Sequence, residues 1–479
     1  MLFFHRPKLH SSWVIALTSG GVVVALAATA WMEFQPTYLV WLGVGVAIAF
    51  GLLFTRVVVM GALLLGCMIG GYRGMVLKQE IAGYNRFFGQ VQRVEGRVTE
   101  DVTKGNSGET HLRLGEVTIA GTHLPGDVWV SASYRGELKR SDYIVIEGKL
   151  RSGFGSFPAS MSFAKIIRAE RPAQGDIARE LRDTFADGVR KGIAEPAASL
   201  GIGFLVGQKS TLPSDLEDQL KIAGLTHIVV ASGYNLTILV RFTRRWLFRI
   251  SKYTSTIAAV CLIGAFMLVT GFSPSMSRAG FVALLSLAAW YYGRTIHPLV
   301  LLPLAAAVTG LLNPLFVWGD LGWYLSFASF VGVMILAPLL HVYFWGREPP
   351  GLLRDLMVST IAAQCMTMPI IAYSFGTAAP YALLANILVV PLIPYIMLLT
   401  FCTGIAGLWV GEAVRLLGAI TGMPLQWVIA VTQWVADLPG ASAEIDYGVG
   451  PLLITYTVLL VGMEWLRRAT AFDFRQTRE

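Results

Sequence analysis

The chain predicts a polytopic α-helical membrane protein of about twelve spans, interrupted by a small extracytoplasmic β-barrel of the OB type. Two features carry this reading. Of 479 residues, 54% are hydrophobic and only 14% charged, and the mean hydropathy is +0.60, which together describe a membrane protein. Within that background one stretch, 86–172, alternates apolar and polar residues in short runs separated by Gly, Asn, Ser and Pro, the pattern of half-buried strands. The formal net charge of +8 is weak evidence for any partner, because membrane proteins gather Lys and Arg in cytoplasmic loops for insertion alone.

In chain order, the basic run His5-Arg6-Pro7-Lys8 precedes an apolar stretch from Val14 to Trp31 that is too long for a signal-peptide core, so it reads as a retained first helix. Placing basic loops in the cytoplasm sets the rest. Spans near 12–31 and 38–53 flank an outer turn at Glu33, Arg56 marks an inner loop, and a third span ends near Leu77. Residues 1–77 therefore form the first helical region, and 86–172 lies outside the membrane.

Strands are readable at Val91–Val98, His111–Ile119, Asp127–Tyr134, Tyr143–Leu150 and Ser162–Ala169. About five strands fit a small closed barrel, although the count alone leaves an SH3-like barrel open. Barrels that hold single-stranded nucleic acid combine a basic groove with exposed rings for stacking. Arg93, Arg97, Arg113, Arg135 and Trp129 are the candidates; acids offset most of the arginines, and Trp129 alternates with core positions.

Residues 176–224 read as interfacial helices. Ile177, Leu181, Phe185, Val189 and Ile193 recur every fourth residue among charges, which predicts a helix lying on the outer surface. A second helix begins at Pro213, carries Leu212, Leu216 and Leu220 on one face, and stops at Gly224.

From 225 to 479 the chain reads as a membrane channel domain. The acid-free stretch Arg241–Lys252 is placed inside, followed by spans near 255–272, 277–292, 298–312, 320–344 and 354–375. Between Ala382 and Val410, Pro391 and Pro394 interrupt an apolar run that reads as one long kinked segment or two short ones, and two crossings there balance the charges. The 411–435 region, with Glu412, Arg415, Gln426 and Gln433, reads as an outer amphipathic or re-entrant helix. A last span near Val449–Leu466 ends at Arg467-Arg468, so both termini are cytoplasmic.

Polar groups inside these apolar runs single out candidate sites. His227, Ser232, Gly233, Asn235 and Thr237 share one segment at bilayer depth, where an unpaired imidazole, hydroxyl or carboxamide finds no hydrogen-bond partner. The segment is expected to line a cavity or water path. By this topology His227, Arg278, Asp320 and Asn386 stand near the outer ends of inward-running spans. An unpaired Arg or Asp at a helix centre costs roughly 2.5–3.5 kcal/mol on insertion scales, so Arg278 either pairs with Asp320 or faces a passing anion. His227 fits a hydrogen-bonded structural histidine or a functional one, and Ser232 and Asn235 are spaced to meet on one helical face. Cys67, Cys261, Cys365 and Cys402 lie in apolar stretches without paired spacing, and no metal or cofactor site is expected.

The segment Gly224, His227, Ser232 and Gly233 resembles the Gly-x-x-His-x-x-x-x-Ser-Gly motif of the ComEC-type DNA-internalisation proteins of bacterial natural competence. Ser275, Arg278 and Ala279 resemble that family's Ser-x-x-Arg-Ala. Asp320 with Gly322-Trp323-Tyr324-Leu325-Ser326-Phe327 is similar to its Asp followed by Gly-Phe-Gln-Leu-Ser-Phe, and Asn386 with Pro391 to its Asn-x-x-x-x-Pro. The resemblance spans essentially the whole chain, including the inserted barrel. It departs at Tyr234-Asn235, where many members have Leu-His, so no proton-relay role is carried over, and at Trp323-Tyr324.

The resemblance implies a channel conducting single-stranded DNA across the cytoplasmic (inner) membrane during natural transformation, lined by His227, Ser232, Gly233, Asn235, Arg278, Asp320, Ser326 and Asn386. It implies as partners the DNA strand, membrane lipids, an extracytoplasmic DNA receptor, a separate nuclease, and a cytoplasmic ATPase or single-strand-binding protein. Many members continue into a metallo-β-lactamase-like nuclease domain, and no His-x-His-x-Asp-His motif occurs here, so the chain is expected to conduct rather than cut. Gly203 to Ser210 is not a Walker A loop, because Gln208 stands before Lys209 and no Walker B pattern follows. Two other classes stay open: a transporter or flippase for another anionic solute or lipid, and an intramembrane hydrolase using Ser232 and His227. The last is disfavoured, since five residues place the pair roughly 140° apart around a helix.

Overall fold

The computed structural model describes residues 11–31, 55–105, 108–134, 136, 138–172, 176–208, 211–229, 233–271, 274–293, 297–348 and 351–472. The expected span at 38–53 and the Glu33 turn lie outside the described residues. The chain is mostly helical and divides into two compact units, Met1–Pro172 with Thr295–Tyr324, and Ala173–Arg294 with Leu325–Glu479.

The first unit holds the barrel. Its strands are β1 (Val91–Val98), β2 (Thr103–Lys104), β3 (Thr110–Ile119), β4 (Thr122–His123), β5 (Val128–Ala132), β6 (Tyr143–Ser152) and β7 (Ala159–Glu170). The five long strands close in the order β1-β6-β7-β5-β3-β1, antiparallel except for the β5–β7 pair. A five-stranded Greek-key barrel is the OB description, which decides the choice that strand number left open. Inward residues such as Val94, Leu114, Ile119, Val130, Ile146 and Leu150 are fully buried. A register shift between Glu95 and Arg97 lets β1 bend round this core, where the missing side chain of Gly96 admits Leu114 and the Gly115 carbonyl.

The helices Ser11–Trp31 and Thr55–Ile81 pack backbone to backbone. Gly66, Gly70 and Gly74, four apart, meet Thr18, Val22 and Thr29 of the first helix, at a spacing that lets membrane helices approach without side chains between them. Trp318 donates from Nε1 to the Leu26 carbonyl (2.8 Å), and Arg73 to the Leu311 carbonyl (3.1 Å), which ties Pro298–Leu312 and Leu315–Gly319 to this pair.

In the second unit three expectations need correction. Ala382–Val389, a single 3-10 turn at Val390–Leu392 and Ile393–Trp409 form one continuous kinked helical run, not two crossings. Pro391 and Pro394 each remove one backbone donor, and a local 3-10 turn absorbs the loss without breaking the run. Val414–Ala436, expected as an outer amphipathic or re-entrant helix, is a 23-residue helix long and apolar enough to cross a bilayer; its Gly418, Thr421, Leu425 and Val428 are buried, which the polar residues on its other face concealed.

The third concerns Ile177–Gly192. Its apolar series is divided: Ile177 and Leu181 are 80% and 63% exposed, while Arg179 and Arg182 are buried with Ala186 and Val189. Close backbone approach sets that face, because Gly188 abuts the Gly404 carbonyl and the Gly192 carbonyl abuts Gly418. The apolar series therefore does not form one buried stripe, and the face with Arg179 and Arg182 packs against the bundle. Among the described residues eight helices are long and apolar enough to cross a membrane, with Ala197–Val206 and Pro298–Leu312 apolar but shorter.

Candidate functional site

The helix Ser214–Ile222 ends as the sequence leads one to expect, and the reason is visible. Gly224 takes a left-handed φ of 69°, its N–H bonding the Lys221 carbonyl (3.0 Å) while the Leu225 N–H bonds that of Leu220 (2.8 Å). This Schellman arrangement, sealed by buried Leu220 and Leu225, turns the chain into the short helix Thr226–Val229 that carries His227. His227 is exposed, with its ring held toward the Gly224 carbonyl, while Ile228 and Val229 are buried.

Three pieces of sequence far apart in the chain meet around this turn. Gly224 faces Ala382, the first residue of the helix that holds Asn386. Gly233 faces Ala279, whose Cβ lies 3.1 Å from where a Gly233 methyl would stand, so Gly233–Leu247 crosses Pro274–Tyr291 beside Arg278. Arg278 is 2% exposed, and its guanidinium carbon lies 5.9 Å from the centre of the Phe327 ring, a cation–π distance. Ser326, next to Phe327, is half-buried. Ser232 lies outside the described residues.

The two carboxamides are turned toward backbone. Asn235 is fully buried and donates to the Phe204 carbonyl (2.8 Å), one of the last carbonyls of the wholly buried helix Ala197–Val206, whose left-handed cap at Gly207 satisfies the Gly203 carbonyl instead. Asn386 is 2% exposed and donates to Ala382 of its own helix (2.8 Å); among the described residues its Oδ1 has no hydrogen-bond partner, beside a cleft that Thr360 and Pro391 also line. Thr237 bonds the Gly233 carbonyl one turn back (2.7 Å).

Asp320 belongs to the first unit, unlike Arg278, which lies in the second. Its Oδ1 accepts from the Trp323 N–H (2.5 Å), as an N-cap of Leu321–Val331, and its Oδ2 from Ser156 (3.1 Å) in the β6–β7 loop. The same loop presses Gly155 against Gly319, a contact that any side chain on Gly319 would obstruct. The barrel thus rests on the segment that caps a membrane-length helix.

On the barrel the five candidates separate. Arg113 and Trp129 are register partners on β3 and β5, whereas Arg93 and Arg97 lie on β1, opposite Glu147 and Tyr143 of β6; Arg135 lies outside the described residues. Arg93 is ion-paired with Glu95 (3.7 Å). Arg113 is held by Glu100 (2.6 Å) and Asp127 (3.6 Å), and its guanidinium lies 4.6 Å over Phe157. Burial pushes the Asp127 carboxyl above the usual carboxylate range; Arg113 opposes that shift and Glu100 adds to it.

Residues that escaped the sequence reading complete this face. His111, Trp129, Phe154 and Phe157 form a run of rings with successive centroids 5.1, 5.5 and 5.5 Å apart, and Phe154 is 54% exposed. It occupies the second and third long strands and the loop between the fourth and fifth, where OB barrels bind oligonucleotides and oligosaccharides. The signals were there: His111 is two residues before Arg113 and so on the same strand face, and phenylalanines inside the turn Ser152-Gly-Phe-Gly-Ser-Phe-Pro158 have no core to enter.

A family model described as "Competence protein" matches residues 204–469. The chain is similar to ComE operon protein 3 of Bacillus subtilis (strain 168), 21% identical over 271 residues, which covers 56% of this chain and 34% of that protein. The chain therefore spans about a third of the length of this curated relative. No solved structure matches.

Proposed function

The chain belongs to the Competence protein family, and on that premise we propose that it forms a membrane channel through which one strand of DNA enters the cell during natural transformation. The observation that carries the reading is the meeting of family-like segments inside one unit: Gly224 at Ala382, Gly233 at Ala279, and Arg278 at Phe327. A polyanion cannot cross hydrocarbon, so its path has to be hydrated and partly cationic. His227, Ser232, Gly233, Asn235, Arg278, Ser326 and Asn386 would surround or support that path, with Asp320 anchoring the barrel beside its own helix.

In this reading about twelve segments cross the cytoplasmic membrane, both termini are cytoplasmic, and the barrel of 86–172 stands outside. The helices of 1–77 and the interfacial segment 176–224 frame the channel region 225–479. The barrel would hold the incoming strand on its β3–β5 face, bases stacking on Trp129 and Phe154. A separate receptor would deliver the DNA, a separate nuclease would remove the other strand, and an ATPase or single-strand-binding protein in the cytoplasm would draw the strand inward.

The test is uptake of end-labelled DNA into a nuclease-protected compartment, in cells with and without the chain. Protection that depends on the chain and on Arg278 is the expected result. Normal uptake without it, together with altered transport of a small anion or lipid, would favour the solute or flippase reading.

A further inference from the structure

Cations and rings gather where Gly233–Leu247 turns into Lys252–Thr270. From Gln219 to Gly319 the sequence contains no Asp or Glu and eight Lys or Arg, so the chain's whole excess of +8 falls in this stretch. Five of the eight lie between Arg241 and Lys252. Arg241, Arg245 and Arg249 are exposed, and beside the last two stand Trp246, Phe248 and Ile250, exposed by 67%, 56% and 72%. Arg244 points the other way, 4.0 Å over the Trp290 ring, with Lys252 5.4 Å from the same ring, and these contacts tie the turn to Pro274–Tyr291.

Insertion alone explains the charges, but not large apolar groups left open in a turn between two helices. The helix Gly233–Leu247 has 15 residues. At about 1.5 Å per residue these described residues cover roughly 22 Å of the ~30 Å hydrocarbon core and end in the basic cluster. The basic end of the helix reaches for the headgroup layer, as long Arg side chains do. The next helix, Lys252–Thr270, is long and apolar enough to cross the membrane and begins within the patch, which puts the patch at the bilayer surface.

We propose that residues 241–253 form a binding surface for anionic phospholipid headgroups, with Arg241, Arg245 and Arg249 taking the phosphates and Trp246, Phe248 and Ile250 entering the acyl boundary. A nucleic-acid strand offers the same phosphates and could stack on Trp246 and Phe248. The lipid is favoured because Ile250, the most open of the apolar groups, has no stacking plane, and because the surface is continuous with a membrane-length helix. Bound lipid would hold in place the helix that presents Gly233 to Ala279. This inference does not depend on DNA conduction.

The test uses the purified full-length chain in neutral detergent. Its Tm is measured with added phosphatidylglycerol, phosphatidylcholine or a single-stranded oligothymidylate, for the native chain and for the triple variant Arg241→Gln, Arg245→Gln, Arg249→Gln. A rise with phosphatidylglycerol over phosphatidylcholine, cut by at least half in the variant, is expected. Should the variant fail to fold, high salt must abolish the same rise in the native chain, because the headgroup contacts are screened. Absence of a phosphatidylglycerol-specific rise overturns the proposal, whether or not the oligonucleotide shifts Tm, and so does a rise that the variant or salt leaves undiminished.

Discussion

Gly233 and Ala279 touch where two helices cross: a methyl on Gly233 would stand 3.1 Å from the Ala279 Cβ, tighter than an ordinary van der Waals contact. The two residues are 46 positions apart in the chain and belong to different family-like motifs. Gly233→Ala should cost about 1 kcal/mol or more through overpacking, and Gly233→Leu considerably more. Ala279→Gly made in the Gly233→Ala background should restore most of the loss. A double-mutant cycle read by Tm and protein abundance checks this, and strict additivity of the two changes would show that the crossing is not tight.

Asp320 caps a helix with one oxygen and accepts a barrel-loop hydroxyl at the other; in Asn the amide oxygen can keep the cap while its NH2 donates to the Ser156 hydroxyl, so neither task needs the charge as such. Asp320→Asn should therefore keep abundance and most DNA uptake, whereas Asp320→Ala should lose about 0.5–2 kcal/mol of stability with the cap. If Asn behaves like Ala in uptake while remaining abundant, the carboxylate charge has a role that capping does not describe.

The barrel face makes a contrast between neighbours. Trp129→Ala or Phe154→Ala should weaken binding of the full chain to an oligothymidylate by about 1–3 kcal/mol for each stacked base lost. Arg93→Gln, on β1 and already paired with Glu95, should change it much less. Fluorescence anisotropy at fixed salt distinguishes these outcomes, and equal losses for Arg93 and Trp129 would remove the β3–β5 face from the account.

Much of this arrangement was legible in the sequence, and the failures have physical causes. Alternation located the long strands because one face of each is buried in the barrel and the other is not. Gly224 was readable as a helix stop, since few other residues take its left-handed φ. The kinked run Ala382–Trp409 was not, because Pro391 and Pro394 are equally consistent with a bend and a break until neighbouring helices are known. Arg179 and Arg182 went inward against their type because glycine contacts at Gly188 and Gly192 fix the rotation of their helix. The ring cluster was missed because Phe154 and Phe157 come from a turn, where periodicity says nothing.

Asp127 gives the barrel a pH response with a definite sign. Folding raises its pKa, chiefly through burial, so the folded state keeps a proton that the unfolded state releases. Stability from this group falls as pH rises from the ordinary carboxylate range through the raised value, and the penalty is complete above it. Asp127→Asn should accordingly gain stability relative to the native chain at neutral pH and lose that advantage toward mildly acid pH. Melting curves of both proteins across this interval check it; parallel profiles would mean that Asp127 is not shifted.

Conduction of a DNA strand along a path that includes Arg278 is the activity proposed for this chain. The most direct measurement is nuclease-protected uptake of end-labelled DNA in cells carrying the native chain, Arg278→Lys, Arg278→Gln, or no copy, each normalised to protein abundance in the membrane. The account predicts full protection with the native chain, partial protection with Lys, and background levels with Gln despite normal abundance, since a fixed guanidinium suits phosphate better than an ammonium group does. Undiminished uptake in the Arg278→Gln cells, or in cells with no copy at all, would contradict it.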